Sequence, residues 1–307
     1  MSASPSWDVA VLGGGPAGMS AAIACAKAGL RTQLIEQLGF GGELINVPHV
    51  VEHGPPAKTG LEISGELTSE LMAAGVACLL ISACELRHRP DAQAWEIITS
   101  DGLVDASQVV LATGCQPRRL DVEGAARLEG RGVSYCAPCD GPMFAGGVVA
   151  LVADSRWALG EALCLADLAA QVHVIVADAE QVHGAARLAE VSARANTTIV
   201  HGTALEILGE ERVAGILVET ADGPERIPVS AVFGCIGRVP SSELAVEWAD
   251  VQPDGRLLTD AALRCRTPGL MAIGDVRVAP DQTARAAIAD GQAVARTALE
   301  HAAGLRP

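Results

Sequence analysis

Short, nearly uninterrupted apolar runs recur along this chain, separated by stretches of helical periodicity. Residues 7–12 are the first run and 32–35 the second; between them lies a stretch of small residues, 19–28, closed by Gly29. Short apolar runs bounded by glycine read as buried strands, and the small-residue stretch reads as a helix. Residues 60–74 carry an amphipathic helical pattern, and 78–86, 94–99 and 102–111 read as strands. The alternation in Trp95-Glu96-Ile97-Ile98-Thr99 and the turn at Asp101-Gly102 predict a hairpin. The cycle then repeats: strand 147–152, helix 159–170, strand 172–176. After it come a helix over 185–195, a strand over 197–200, a hairpin pattern over 204–218 and a buried strand over 231–237. A strand at 270–275 and a long helix over 284–303 close the chain. Strands alternating with helices predict an α/β fold, and the second strand–turn–helix–strand cycle looks like an internal repeat of the first.

Composition narrows the reading. The chain has 307 residues, is 50% apolar with 33 glycines, and carries only 3% aromatics. That length suits about two domains, and the glycine content suits a fold punctuated by tight turns. A net charge of −15 argues against nucleic acid as a partner and against anionic membrane surfaces. No run of apolar residues long enough to span a bilayer is present, and Met1-Ser2-Ala3-Ser4-Pro5-Ser6 lacks the features of a signal peptide. A reducing cytoplasm is the expected location. Nine cysteines at irregular spacing do not form a disulfide framework, and Cys25 and Cys164 sit in helical patterns as small buried hydrophobes.

Two stretches carry chemistry. The first is Gly13-Gly14-Gly15-Pro16-Ala17-Gly18, set between strand and helix, with Glu36 at the end of the next strand. In that context G-x-G-x-x-G is a dinucleotide fingerprint. Gly13 allows the tight turn, Gly15 lets backbone approach a pyrophosphate, and Gly18 lets helix and strand pack closely. The helix N-terminus offers its free N–H groups to the phosphates, and Glu36 is placed to accept ribose hydroxyls. A further glycine-rich loop, 39–45, allows another close backbone approach. The second stretch is Cys136-Ala137-Pro138-Cys139-Asp140-Gly141. Two thiols at this spacing close a small ring, so oxidation and reduction need little chain movement. Asp140 is placed to move the proton that exchange requires. Half of a zinc site has the same spacing, but the nearest other candidates, Cys84, His88 and Cys115, are scattered, and no metal is expected. His49 and His53 fall in an irregular segment and join no constellation.

These landmarks, in order, resemble the low-molecular-weight thioredoxin reductases, a two-domain branch of the flavoprotein disulfide reductases. The resemblance spans nearly the whole chain and rests on the 13–18 fingerprint with Gly41-Gly42-Glu43-Leu44, on Ala112-Thr113-Gly114, on the redox motif at 136–141, and on Gly274-Asp275 with the helix start at 285–291. It implies two Rossmann-like domains of three-layer ββα form. The FAD domain would be discontinuous, residues 1–116 and 243–307, with the redox-disulfide domain, 117–242, between. It implies FAD held by Gly13, Gly15, Pro16, Ala17, Gly18 and Glu36, by Gly42, Glu43 and Leu44, and by Thr113 and Gly114. Gly274 belongs to the same site, with Asp275 at the ribityl–phosphate region and the backbone of Ala286, Ala287 and Ile288 near the flavin ring. Cys139 would lie against the flavin and Cys136 would meet the partner disulfide, with Asp140 as acid/base. The family is commonly homodimeric.

One departure bears on the electron source. The family's second glycine turn binds NADPH, and here Ala153-Asp154-Ser155-Arg156-Trp157-Ala158 occupies its place, anchored by Glu161-Ala162-Leu163. The glycines are gone, Asp154 adds negative charge and Trp157 adds bulk. The family's arginine cluster for the 2′-phosphate is replaced by Val176-Ala177-Asp178. Lost phosphate contacts of about 1.5–3 kcal/mol each remove micromolar NADPH affinity. The expectation is an FAD-dependent disulfide oxidoreductase that passes electrons between FAD and Cys136–Cys139 to thioredoxin or a similar disulfide. Its donor would be ferredoxin or another reduced carrier, docked near Arg118, Arg119, Arg127 and Arg131. Two alternatives stand beside it: a dithiol oxidase that returns electrons to oxygen, disfavoured by the acid at Asp140, and a non-catalytic FAD-binding redox sensor.

Overall fold

The computed structural model describes residues 6–47, 50, 58–154, 156–177 and 185–304. His49, His53 and Asp178 lie outside the described residues. Two units emerge, one formed by residues 1–116 with 240–307 and the other by 117–239.

The first unit opens with β1 (Trp7–Leu12), α1 (Pro16–Lys27) and β2 (Thr32–Glu36). Then follow α2 (Gly60–Ala73), β3 (Ala77–Leu80), β4 (Ala83–Arg89), β5 (Ala94–Thr99) and β6 (Gly102–Leu111). Thr59 caps α2 reciprocally with Glu62, which fixes where that helix begins. The chain leaves along β7 (Cys115–Pro117). The second unit holds β8 (Val133–Ser134), the one-turn helix α3 (Ala137–Asp140), β9 (Val148–Ala153), α4 (Arg156–Ala166), β10 (Gln171–Val176) and α5 (Ala185–Ser192). It continues with β11 (Thr197–Leu208), β12 (Gly215–Thr220), β13 (Gly223–Ile227) and β14 (Ala231–Cys235). The return runs along β15 (Arg238–Pro240), and the first unit is completed by β16 (Leu270–Ala272) and α6 (Ala284–Ala302).

In the first unit the sheet order is β3-β2-β1-β6-β5-β4, with β16 also paired to β6. β6 serves two layers. Its C-terminal half pairs in parallel with β1 and β16, and its N-terminal half pairs antiparallel with β5. Successive residues of β1 show why three layers form. Val9 and Val11 join the cluster built from α1 and α6, while Ala10 and Leu12 join the one built from β5 and its neighbours. A strand with period-two side chains buried on both sides needs cover on both faces. The second unit repeats the plan in the order β13-β12-β11-β10-β9-β14-β8. Val149, Leu151 and Ala153 face the α4 cluster, and Ala150 faces the cluster containing Ile207, Ile216 and Val218. Two Rossmann-like ββα units thus stand in one chain, as expected.

Three details differ from the sequence reading. The strand expected over 78–86 is two strands: β3 extends the parallel edge beside β2, and β4 forms the opposite edge beside β5. The strand at 197–200 and the first arm of the next hairpin are one strand, β11. It pairs with β10 up to His201 and with β12 from Gly202, absorbing a bulge between Ala204 and Glu206. The return crossing lies at β15, which pairs with β7, so the boundary falls between 239 and 240 rather than at 242/243. Ser241 already belongs to the first unit, since its N–H donates to the Gly114 carbonyl and its own carbonyl accepts the Thr113 hydroxyl.

Among the described residues no helix is long and apolar enough to cross a membrane.

Candidate functional site

At the end of β1 the chain turns through Gly13, whose φ of +107° is a conformation that favours glycine. A Cβ on Gly13 would lie 2.3 Å from the Ala112 carbonyl oxygen, and one on Gly18 would lie 1.8 Å from the Gly13 oxygen. These two glycines are where β1, β6 and α1 close on one another. Gly15 differs: nothing lies within 4 Å of the position its Cβ would take. It is the N-cap of α1 and no side chain caps that end, with Pro16 as the first helical residue. An uncapped helix N-terminus beside an open glycine suits a phosphate group. Glu36, at the end of β2, accepts from Gly14 N–H at 2.6 Å through Oε2 and from Leu38 N–H at 2.8 Å through Oε1. A carboxylate offers about four acceptor sites, so this half-exposed group retains capacity for a ribose hydroxyl.

Other expected cofactor residues converge on the same turn. Gly42 (φ +53°) comes so close that its Cβ would stand 3.1 Å from Gly15 Cα. Gly41 N–H donates to the Gly14 carbonyl at 2.8 Å, and Glu43 is exposed beside them. Gly274 (φ +67°) lies against Ala17, 3.0 Å from Ala17 Cβ at its own Cβ position, with Ala287 Cβ at 4.0 Å. Asp275 follows, its carbonyl accepting from the Cys115 thiol at 3.2 Å. At α6, Thr283 caps the helix by accepting from Ala286 N–H, and the Ile288 carbonyl accepts from Ser20 Oγ at 3.0 Å. Leu44 points elsewhere: its side chain is buried with Val50 and Ile63, and its carbonyl accepts from Val47 N–H at 3.0 Å. The Thr113 hydroxyl is likewise committed to Ser241, 2.6 Å away, and Gly114 (φ +66°) is open around its Cβ position. The cradle of open Gly15, bare helix end and terminal carboxylate fits the dinucleotide part of FAD.

In the second unit β8 leads into the redox pair. Cys136 and Cys139 are joined as a disulfide with Cα atoms 5.3 Å apart. Pro138 sits in the first turn of α3, and Cys139 N–H donates to Cys136 Sγ at 3.3 Å. Cys139 is the exposed member and Cys136 is partly buried. Two groups outside the motif hold it. Ser134 Oγ donates to Asp140 Oδ2 at 2.6 Å and accepts from Cys136 N–H at 3.2 Å. Glu161, on α4, accepts from Ala137 N–H at 2.7 Å. Neither belongs to the motif: Ser134 stands two residues before Cys136, and Glu161 reaches it only through the fold.

Three of the buried cysteines are poor competitors for exchange. Burial pushes the Cys25 and Cys265 thiols up to about 12, and pushes Cys235 well above its ordinary value, helped by Glu161 and Asp154. A thiol held protonated is a weak nucleophile.

The counterpart of the first glycine turn lies between β9 and α4. No glycine occupies residues 153–158. Asp154 N–H reaches the Cys235 carbonyl, and Asp154 Oδ2 lies 3.7 Å from where a Cβ on Gly237 would be, so a carboxylate stands over the ends of β9 and β14. Trp157 is 41% exposed, with the Arg238 guanidinium 5.7 Å above its ring. The arginines expected to form a docking patch are partly committed. Arg119 pairs with Glu129 and lies 4.5 Å over Tyr135, and Arg127 donates to the Glu210 carbonyl. Among the described residues no group of three or more His, Cys, Asp or Glu is placed to hold a metal.

The family of pyridine nucleotide-disulphide oxidoreductases matches residues 7–291. The chain is 30% identical over 307 residues to the thioredoxin reductase of Listeria monocytogenes, covering 98% of this chain and 95% of that one. Its fold matches the crystal structure of thioredoxin reductase from Lactococcus lactis with a TM-score of 0.90 and 25% identity, over 97% of this chain and 99% of the other. A ferredoxin-flavin thioredoxin reductase from Clostridium acetobutylicum shares the fold at 24% identity and a TM-score of 0.53, over 97% and 98% of the two chains.

Proposed function

From the premise that the chain belongs to the pyridine nucleotide-disulphide oxidoreductase family, as an FAD-dependent disulfide oxidoreductase of the thioredoxin reductase class, we propose that it reduces the disulfide of thioredoxin or a similar small protein. Electrons reach its FAD from a reduced carrier such as ferredoxin, not from NADPH or NADH. The first unit carries FAD; the second carries the redox disulfide on a nucleotide-type fold that no longer takes a nucleotide. The observation that carries the donor reading is the Asp154 carboxylate over the strand ends beside glycine-free residues 153–158. A pyrophosphate there would meet the Asp154 carboxylate, with the Arg118 guanidinium beside it, and the Trp157 ring, where the first unit's turn offers open backbone.

In this reading Gly13, Gly15 and Gly18 shape the phosphate turn, Glu36 orients the adenosine ribose, and Asp275 with the backbone of residues 286–288 orients the rest of the cofactor. FAD, when bound, supplies the two electrons that convert the Cys136–Cys139 disulfide to a dithiol. One thiolate of the pair then attacks a sulfur of the partner disulfide, forming a mixed disulfide and releasing the partner's first thiolate. The second cysteine attacks the mixed disulfide, the Cys136–Cys139 bond re-forms and the partner leaves as a dithiol. Asp140, oriented by Ser134, gives and takes the protons that keep leaving thiolates neutral. A homodimer in the reducing cytoplasm completes the reading.

The test is turnover with defined donors. FAD-loaded protein is incubated anaerobically with oxidised thioredoxin and either dithionite-reduced ferredoxin or NADPH, and thioredoxin thiols are counted. Thiols should appear with reduced ferredoxin and vanish in Cys139→Ser. Thiols produced at equal rate from NADPH would overturn the donor assignment, and none from either donor would overturn the reductase direction.

A further inference from the structure

Beyond the residues that meet the cofactor, a nearly buried ion pair stands directly behind them. Asp290, on α6, accepts from Gly274 N–H at 3.0 Å through Oδ2. The Arg277 guanidinium grips the same carboxylate in a fork, Nε to Oδ2 at 2.8 Å and Nη2 to Oδ1 at 2.7 Å. The two side chains are only 14% and 17% exposed. Arg277 is anchored in turn to the Val278 carbonyl at 2.9 Å. Removing two charges from water is costly, so such a pair is weak as a source of stability and strong as a way to fix one geometry.

The geometry it fixes is that of the turn entering Asp275. Gly274 leaves β16 with φ +67° and fits against Ala17, in the first turn of α1. The residue after Asp290, Gly291, is pressed against the same helix: a Cβ there would lie 2.4 Å from the Ala17 oxygen. One carboxylate therefore ties the Gly274 turn and α6 together at the point where both touch the phosphate-binding end of α1. We propose that Asp290, held by Arg277, is a positioning residue of the FAD site: it locks Gly274 so that Asp275 is presented to the cofactor. This rests on the FAD assignment.

The test is a double-mutant cycle read in FAD affinity, by quenching of flavin fluorescence on titration into apoprotein. The near-isosteric Asp290→Asn keeps an acceptor for Gly274 but loses the charge that holds Arg277. It should weaken FAD binding about tenfold, with Asp275→Asn weakening it at least as much. If Asp290 acts through the turn, the Asp290→Asn/Asp275→Asn double variant binds no more weakly than Asp275→Asn alone. A purely structural role would instead leave affinity unchanged or make the two losses multiply, and either result overturns the proposal. Should Asp290→Asn fail to fold, Arg277→Gln breaks the same pair from its other side, and the same cycle is run with it. A wild-type apoprotein that takes up no FAD overturns this proposal together with the cofactor assignment, an outcome distinct from normal uptake by both variants.

Discussion

Alanine at Gly15 and at Gly18 separates cofactor geometry from packing within a single turn. At Gly18 the added Cβ would lie 1.8 Å from the Gly13 oxygen and 3.1 Å from Ala112 Cβ, where real contacts essentially never fall below 3.0 Å. The turn and α1 must part by more than an ångström, because the nearest partner is the Gly13 backbone and the other is the short Ala112 methyl, neither of which can swing aside. Overpacking of this kind costs about 1–3 kcal/mol. For a unit of this size each kcal/mol corresponds to about 2–4 °C, so apoprotein Tm falls by about 2–12 °C. At Gly15 no atom lies within 4 Å, and φ −71°, ψ −177° is open to alanine. The entropy gain of about 0.4–1 kcal/mol for replacing glycine is offset by alanine's poorer fit at an N-cap, so stability barely moves. The methyl instead occupies the space a pyrophosphate needs, and a loss of about 1.4 kcal/mol or more in binding means FAD affinity at least tenfold weaker. Differential scanning of apoprotein and flavin titration measure the two quantities separately. The reasoning fails if Gly15→Ala binds FAD normally, or if it lowers Tm as much as Gly18→Ala does.

Ser134→Ala removes the 2.6 Å hydrogen bond to Asp140; disulfide exchange should slow roughly tenfold, the kinetic equivalent of about 1.4 kcal/mol, with the bound-flavin spectrum unchanged, and equal rates would exclude a positioning role for the hydroxyl. After mild reduction, iodoacetamide should label Cys136, Cys139 and exposed Cys84, while Cys25 and Cys265, held at about 12, and Cys235 react only on denaturation; rapid labelling of the buried three in peptide mass spectra would contradict this. Burial lowers the His88 pKa below 6.5, so under that value the unfolded chain binds more protons than the folded one, and stability declines as pH falls. His173, lowered the same way, adds to the slope, and His88→Gln should flatten it; urea midpoints with an identical slope in the variant would refute the assignment.

The two cofactor-scale motifs were legible because their chemistry is local. A glycine turn needs its glycines within six residues, and a dithiol ring needs its cysteines three apart, so a linear reading finds both. Residues recruited through the fold were not legible. Glu161 and Asp290 meet their partners Ala137 and Gly274 only through the packing of α4 and α6, while Ser134, two residues before Cys136, carries no residue-type signature that marks it. The apolar period located the buried strands but not their edges. Residues 78–86 read as one strand because Ile81 continues the apolar pattern across the break, although β3 and β4 lie at opposite ends of the sheet. Leu44, placed among the cofactor residues by its neighbours, instead sends its side chain into the cluster with Val50 and Ile63. The arginines near the redox pair looked like a docking patch in sequence, but Glu129, Tyr135 and the Glu210 carbonyl claim two of them in space.

The most direct measurement is the visible absorbance of the FAD-loaded protein on anaerobic mixing with NADPH and with NADH. The flavin band should persist at micromolar nucleotide, while dithionite or reduced ferredoxin bleaches it and added thioredoxin disulfide restores it. Rapid bleaching by either nucleotide would contradict the reading of Asp154 and Trp157, and would make the second unit a working nucleotide site.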